Sequence, residues 1–91
     1  MDRVAVFHDG RMEIQSSISR MPYFSGLLRA EFGVVDEISR IHVDILLIDY
    51  QIDDHQICCI CSDQYPTLTI RAKSVSDNVI IHRIVESSDI R

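Results

Sequence analysis

One short segment of the chain gathers two carboxylates, an imidazole and all three thiols: Asp53, Asp54, His55, Cys58, Cys59 and Cys61. Those residue types admit two chemistries. One is a zinc site made from His55 and the cysteines, with His42 as a further ligand. The other is a thiol nucleophile, Cys59, with His55 as its base. Structural zinc sites usually close their tetrahedron with two separated ligand pairs, whereas here all the cysteines share one segment. On a helix Cys58 and Cys61 would share one face and His55 and Cys59 another, the two diverging by about 100° per residue. The competing reading is three thiols packed as small hydrophobes. A catalytic dyad also needs an orienting third group and a cleft, and the sequence presents neither. Asp53-Asp54 is better suited to the positive end of a helix than to paired acid and base work. There is no glycine-rich phosphate loop and no interleaving of aromatic and basic residues. The chain is therefore expected to have no catalytic residues, no cofactor and no metal, with a cysteine-cluster metal regulator as an alternative.

Its length narrows the function further. Ninety-one residues make a single domain, 1–91, and a domain of this size buries only about 60–65% of its unfolded surface. That leaves little volume for both a core and a cofactor-sized cavity, so function is expected on the surface. An apolar share of 46% is enough for a folded globule. The net charge of −5 is the wrong sign for neutralising phosphates, which argues against nucleic acid. The imbalance is local: residues 36–63 hold Asp36, Glu37, Asp44, Asp49, Asp53, Asp54 and Asp63 against Arg40 alone. This stretch is either a solvated face or an acidic docking surface for a basic partner. Apolar runs such as Ile45-Leu46-Leu47-Ile48 are far shorter than the roughly 20 residues of a membrane span. An odd number of cysteines and an N-terminus without a signal-peptide pattern point to reduced thiols in the cytoplasm or nucleus.

The elements that would carry these residues can be read in outline. Val4-Ala5-Val6-Phe7, the turn signal His8-Asp9-Gly10 and the alternating Arg11 to Gln15 predict a hairpin. Ser16 and Ser17 precede an apolar stripe of Ile18, Met21, Phe24, Leu27 and Leu28 at helical spacing. Pro22 places the regular helix start near Met21, with Ile18 in a preceding turn, and Gly33 ends the helix. Val34 to Glu37 reads as a loop and 39–43 as a third strand. Asp53-Asp54 reads as the start of a second helix through Ile57, Ile60 and Cys61, and Thr67 to Ile70 as a short strand or loop. A last helix is capped by Ser76 or Asp77 and buries Val79, Ile80, Ile84 and Val85.

The segment Ser19-Arg20-Met21-Pro22-Tyr23-Phe24-Ser25-Gly26-Leu27-Leu28 resembles the characteristic helix of BTB/POZ domains, written A-R-S-P-Y-F-x-A-M-L. The following Ile41-His42-Val43-Asp44 is similar to that family's third strand. Asp53 to Tyr65, Asp77-Asn78-Val79-Ile80 and Ser88-Asp89 fit its later elements more loosely. Read this way, the resemblance covers about residues 3–90. It departs from the pattern at Gln15-Ser16-Ser17 and in the length of 44–53. The chain is similar to minimal family members such as elongin C and potassium-channel tetramerisation domains.

The resemblance implies an α+β fold of BTB/POZ type, a three-stranded sheet with an N-terminal hairpin packed against a cluster of α-helices. Pro22, Tyr23, Phe24, Leu27 and Leu28 would form the family's motif core, Tyr23 and Phe24 anchoring the helix on the sheet; their other reading is the core of an unrelated α+β domain. It also implies a protein partner, homo-oligomers and a cullin-type ubiquitin-ligase scaffold as a candidate partner. The family's hydrophobic-x-Glu pattern is missing at Phe32-Gly33-Val34 and is met by Val35-Asp36-Glu37, so Phe32, Val34, Val35, Asp36 and Glu37 are the expected partner-binding residues. The function expected is an intracellular protein-interaction adaptor. The alternative is a structural subunit of a larger assembly, cellular or viral, whose small core its neighbours complete.

Overall fold

The structure, a computed structural model, describes residues 3–33, 36–42, 44–62 and 66–87. The N-terminal hairpin forms as the sequence predicts. Strand β1 (Arg3–Val6) pairs antiparallel with β2 (Met12–Ser17), Val4 opposite Ile14. The turn is closed by Phe7 N donating to Arg11 O at 2.8 Å and Gly10 N donating to Phe7 O at 2.9 Å. Gly10 sits at φ 93°, a conformation that costs a residue with a Cβ.

A 3-10 turn, Ile18–Arg20, leads into helix α1 (Met21–Phe32). Pro22 is in the first helical turn, where its missing N–H costs nothing. Gly33, at φ 75°, ends the helix by donating its N–H to Arg29 O. Phe24 and Leu28 face inward and are buried, with Met21, Leu27 and Phe32 half-buried beside them.

Beyond α1 the fold departs from the expected one. Four consecutive strands follow: β3 (Asp36–His42), β4 (Ile45–Ile52), β5 (His55–Ser62) and β6 (Thr67–Ala72). Together with the hairpin they make one six-stranded antiparallel sheet in the order β1-β2-β6-β5-β4-β3. A second 3-10 turn, Val75–Asp77, opens helix α2 (Asn78–Ser87). The fold is α+β, but it is an open six-stranded sheet with two helices, not a three-stranded BTB sheet with a helical cluster.

The decisive difference lies in 53–62. Asp53-Asp54 is a two-residue hairpin turn, with Ile52 opposite His55 and Asp53 at φ 53°, a region Asp tolerates better than most residues. It does not start a helix. Ile57, Cys59 and Cys61 are buried and alternate with half-buried Cys58, Ile60 and Ser62, the period of a strand. Asp36 and Glu37, read as loop, belong to β3, and Thr67 to Ala72 is a central strand between β2 and β5.

The core lies between one face of the sheet and the helices. Ile14, Ile48, Tyr50, Ile52, Ile57, Leu68, Ile70 and Ala72 meet Phe24, Leu28, Ile80, Ile81 and Ile84. In α2 the buried stripe runs through Ile80, Ile81 and Ile84, with Val79 exposed and Val85 only half-buried, a rotation from the predicted stripe. The helices pack on each other, and α2 lies over β6 and β2.

Candidate interaction surface

The face of the sheet opposite the helices carries a polar row. The register aligns Ala5, Glu13, Arg71, Cys58, Asp49 and Ile38 across all six strands. Glu13 is 3% exposed, yet its carboxylate accepts from Arg71 Nε at 3.1 Å and from Gln15 Nε2. Arg71 also stacks over the Phe7 ring, 4.9 Å from its centroid. Farther along the row Asp49 accepts from Arg40 Nη2 at 2.5 Å, and Lys73 Nζ stands 3.2 Å from its other oxygen. The Lys73 approach is a charge contact, not an aligned hydrogen bond. Burial works to raise the Asp49 carboxyl, but Lys73, Cys58 and Arg40 outweigh it and hold it below the ordinary value. The acids of this row are thus engaged by the sheet's own cations.

A shallow hollow of about 160 Å³ lies on this face, lined by Asp36, Ile38, Asp49, Gln51, Gln56 and Lys73 together with Tyr50. Sites for drug-sized ligands run to about 300–1,000 Å³. The hollow is too small for a cofactor.

The thiols do not converge. Cys58 points to the open face, while Cys59 and Cys61 are buried on the helix face, Cys59 Sγ lying 3.7 Å from Met21 Sδ. Alternation along the strand puts Cys58 on the opposite face of the sheet from Cys59 and Cys61. His42 and His55 stand toward opposite ends of β4, paired near Ile45 and Ile52 respectively. Among the described residues no group of three potential ligands is close enough to hold a metal ion. His55 instead bonds Asp77, Nδ1 to Oδ1 at 3.1 Å. Burial raises the Cys58 thiol, and the adjacent Asp49 carboxylate raises it further, which opposes the thiolate a nucleophile needs. Burial pushes Cys59 higher still.

The expected partner-binding residues that are described lie at the end of α1 and the start of β3. Phe32 is half-buried at the end of α1, under the Arg83 guanidinium 4.6 Å from its ring. Val34 and Val35 lie outside the described residues. Asp36 and Glu37 are exposed at the start of β3. Of the expected motif core, Phe24 and Leu28 are buried and Leu27 half-buried, but Pro22 and Tyr23 are exposed. Tyr23 packs edge-on against Phe24, with Arg20 over its ring at 4.4 Å, and so covers the core from outside.

Among the described residues the most exposed large apolar groups are Ile41 at 81% and Ile38 at 66%, both on β3, followed by Val6 at 65% on the opposite edge strand β1. Strand β3 pairs only with β4, so its outer backbone row has no strand partner among the described residues. The sequence signal for this was the spacing of Ile38 and Ile41. Residues three apart on a strand face opposite sides, so no one-sided core can bury both. No helix of the described residues is long and apolar enough to cross a membrane.

No family model matches the sequence, and no curated protein or solved structure matches it. The fold implied by the Pro22-Tyr23-Phe24 resemblance is not the fold of this chain.

Proposed function

We propose that this chain is a protein-interaction module that works by strand addition at β3. The observation that carries the reading is an edge strand of seven residues bearing two isoleucines at 66% and 81% exposure. Edge strands offer unpaired N–H and C=O groups to another chain, and natural proteins usually blunt them with charge, bulges or cover. Here Asp36, Glu37 and Arg40 provide charge, but apolar surface remains on both faces. An extended segment docked there gains main-chain hydrogen bonds for affinity and side-chain contacts for specificity.

Binding rather than catalysis fits the rest of the surface. The open-face ionic groups engage each other, and the one hollow described there is small. Along β3 the carboxylates Asp36 and Glu37 share the strand with the guanidinium of Arg40, a mixed pattern that favours a partner segment carrying charges of both signs. A cullin-type scaffold was suggested by the BTB fold, and without that fold no particular scaffold is favoured. Free thiols at Cys58, Cys59 and Cys61 suit the reducing cytoplasm or nucleus.

The test compares proteins captured from cells by the wild-type chain, by Ile38→Lys/Ile41→Lys, and by Val6→Lys on the other edge. The reading expects β3 substitution to abolish the captured set and β1 substitution to leave it intact. Equal capture by all three chains overturns it.

A further inference from the structure

We infer that the segment added at β3 is a second copy of this chain, paired antiparallel about Ile38 to join two sheets into one of twelve strands. The inference rests on the strand-addition reading and names its partner. Across a two-fold axis perpendicular to the sheet, directly opposed residues must share a face. Self-pairing can therefore centre only on a residue, and the sequence of β3 discriminates sharply among centres.

Centred on Glu37, the strand sets two glutamates against each other. Centred on Arg40, it opposes two guanidinium groups, and like charges directly opposite are destabilising. A centre at Ser39 places Ile38 against Arg40 and Glu37 against Ile41, matching charge with apolar surface twice over. A centre at Ile41 keeps only a few described residues in register. Centred on Ile38, by contrast, Asp36 meets Arg40 of the second copy twice, Glu37 meets Ser39 twice, and the isoleucines pack on each other. Asp36, Ile38 and Arg40 all face the open side, since they oppose Gln51, Asp49 and Leu47 of β4. Asp36 is exposed, and the Arg40 side chain is 56% exposed despite its bond to Asp49. A guanidinium carries five donors in a planar fork and can serve two carboxylates. The hollow lined in part by Asp36 and Ile38 then lies next to the joint.

A joint of one strand pair is at the small end of specific interfaces, so the dimer is expected to be reversible and concentration-dependent. Sedimentation velocity over a concentration series tests it. Wild type is expected to shift from monomer to dimer. Asp36→Arg and Arg40→Asp, each turning both ion pairs into repulsions, should each weaken self-association about tenfold or more. Their equimolar mixture should restore a dimer. In it one chain carries a cation at both positions and the other an anion at both, so every cross-strand pair joins opposite charges. Recovery in the mixture also shows that both variants fold. Arg40→Ala, which leaves Asp49 its Lys73 contact, should weaken the dimer without reversing charge. A wild-type chain that stays monomeric overturns the self-pairing; the strand-addition reading survives it only if captured partners still depend on Ile38 and Ile41. A dimer indifferent to Asp36→Arg, or one lost with Val6→Lys, overturns it equally.

Discussion

Replacing Asp77 with alanine should destabilise this fold well beyond an ordinary surface substitution. Asp77 is 6% exposed and accepts three hydrogen bonds: from the Ser74 hydroxyl at 2.8 Å, the Gln56 amide at 3.1 Å and the His55 ring at 3.1 Å. The three donors do not lose equally. Ser74 is exposed and can turn its hydroxyl to water. The Gln56 amide and the His55 ring are partly buried, and they start β5, a strand on which the sheet depends. A hydrogen bond to a charged group contributes about 1.5–3 kcal/mol. Two of them, discounted for partial access of water, give a loss of about 3 kcal/mol. A chain of 91 residues has only about 5–13 kcal/mol of stability in total, and at about 4–8 °C per kcal/mol the melting temperature should fall by roughly 12–24 °C.

The effect should depend on pH in a defined direction. Burial raises the Asp77 carboxyl, but the bonds from Ser74, Gln56 and His55 outweigh it and place its pKa below the ordinary 3.8. A carboxyl whose folded pKa is depressed stabilises fully above its unfolded pKa and loses that contribution as the pH falls through the folded value. Urea titrations followed by circular dichroism should therefore show a wide gap between wild type and Asp77→Ala at neutral pH, narrowing in acid. A neutral-pH gap under about 0.5 kcal/mol, the size of an ordinary surface substitution, would refute the reasoning. So would a gap that stays constant into strong acid.

Three further outcomes follow from burial and bonding. Phe24→Ala should cost about 3–5 kcal/mol by urea unfolding, whereas Ile41→Lys, at 81% exposure, should stay within about 0.5 kcal/mol. Thiol labelling at mildly alkaline pH should find Cys58 slower than a free cysteine and Cys59 and Cys61 silent until denaturant is added; three fast thiols would contradict the placement. Asn78 donates to Gly10 O at 2.8 Å and accepts from Met12 N at 2.9 Å, so Asn78→Ala should speed hydrogen exchange at Met12 and cost about 1–2 kcal/mol.

The parts of the fold legible in the sequence were those with local punctuation. Gly10 marked the hairpin, Pro22 and Gly33 bounded α1, and Asp77 stood just ahead of α2. Strands β4 and β5 were not legible because both of their faces carry apolar groups. Ile45, Leu47, Cys58 and Ile60 on the open side fill the gaps between Ile48, Ile57 and Cys59 on the core side, which erases the period of two that identifies a strand. A run of five such residues fits a buried helix as readily as a strand, and two aspartates ahead of it look like a cap. The same excess of apolar groups was the sign of the candidate surface, since an edge strand with isoleucines on both faces cannot hide them all. The ion pairs Arg71–Glu13 and Lys73–Asp49 join residues distant in sequence, and only the register brings them together.

The seam between β2 and β6 has a consequence for how the chain is made. Ile14 must meet Ile70, so the hairpin at the front of the molecule has no neighbour until roughly sixty later residues have left the ribosome. The four-strand meander from β3 to β6 needs only adjacent partners and can assemble before the hairpin arrives. Closing such distant segments is slow compared with local pairing. During that interval the inner edges of β2 and β6, protected from every stranger in the finished molecule, are its most vulnerable surfaces.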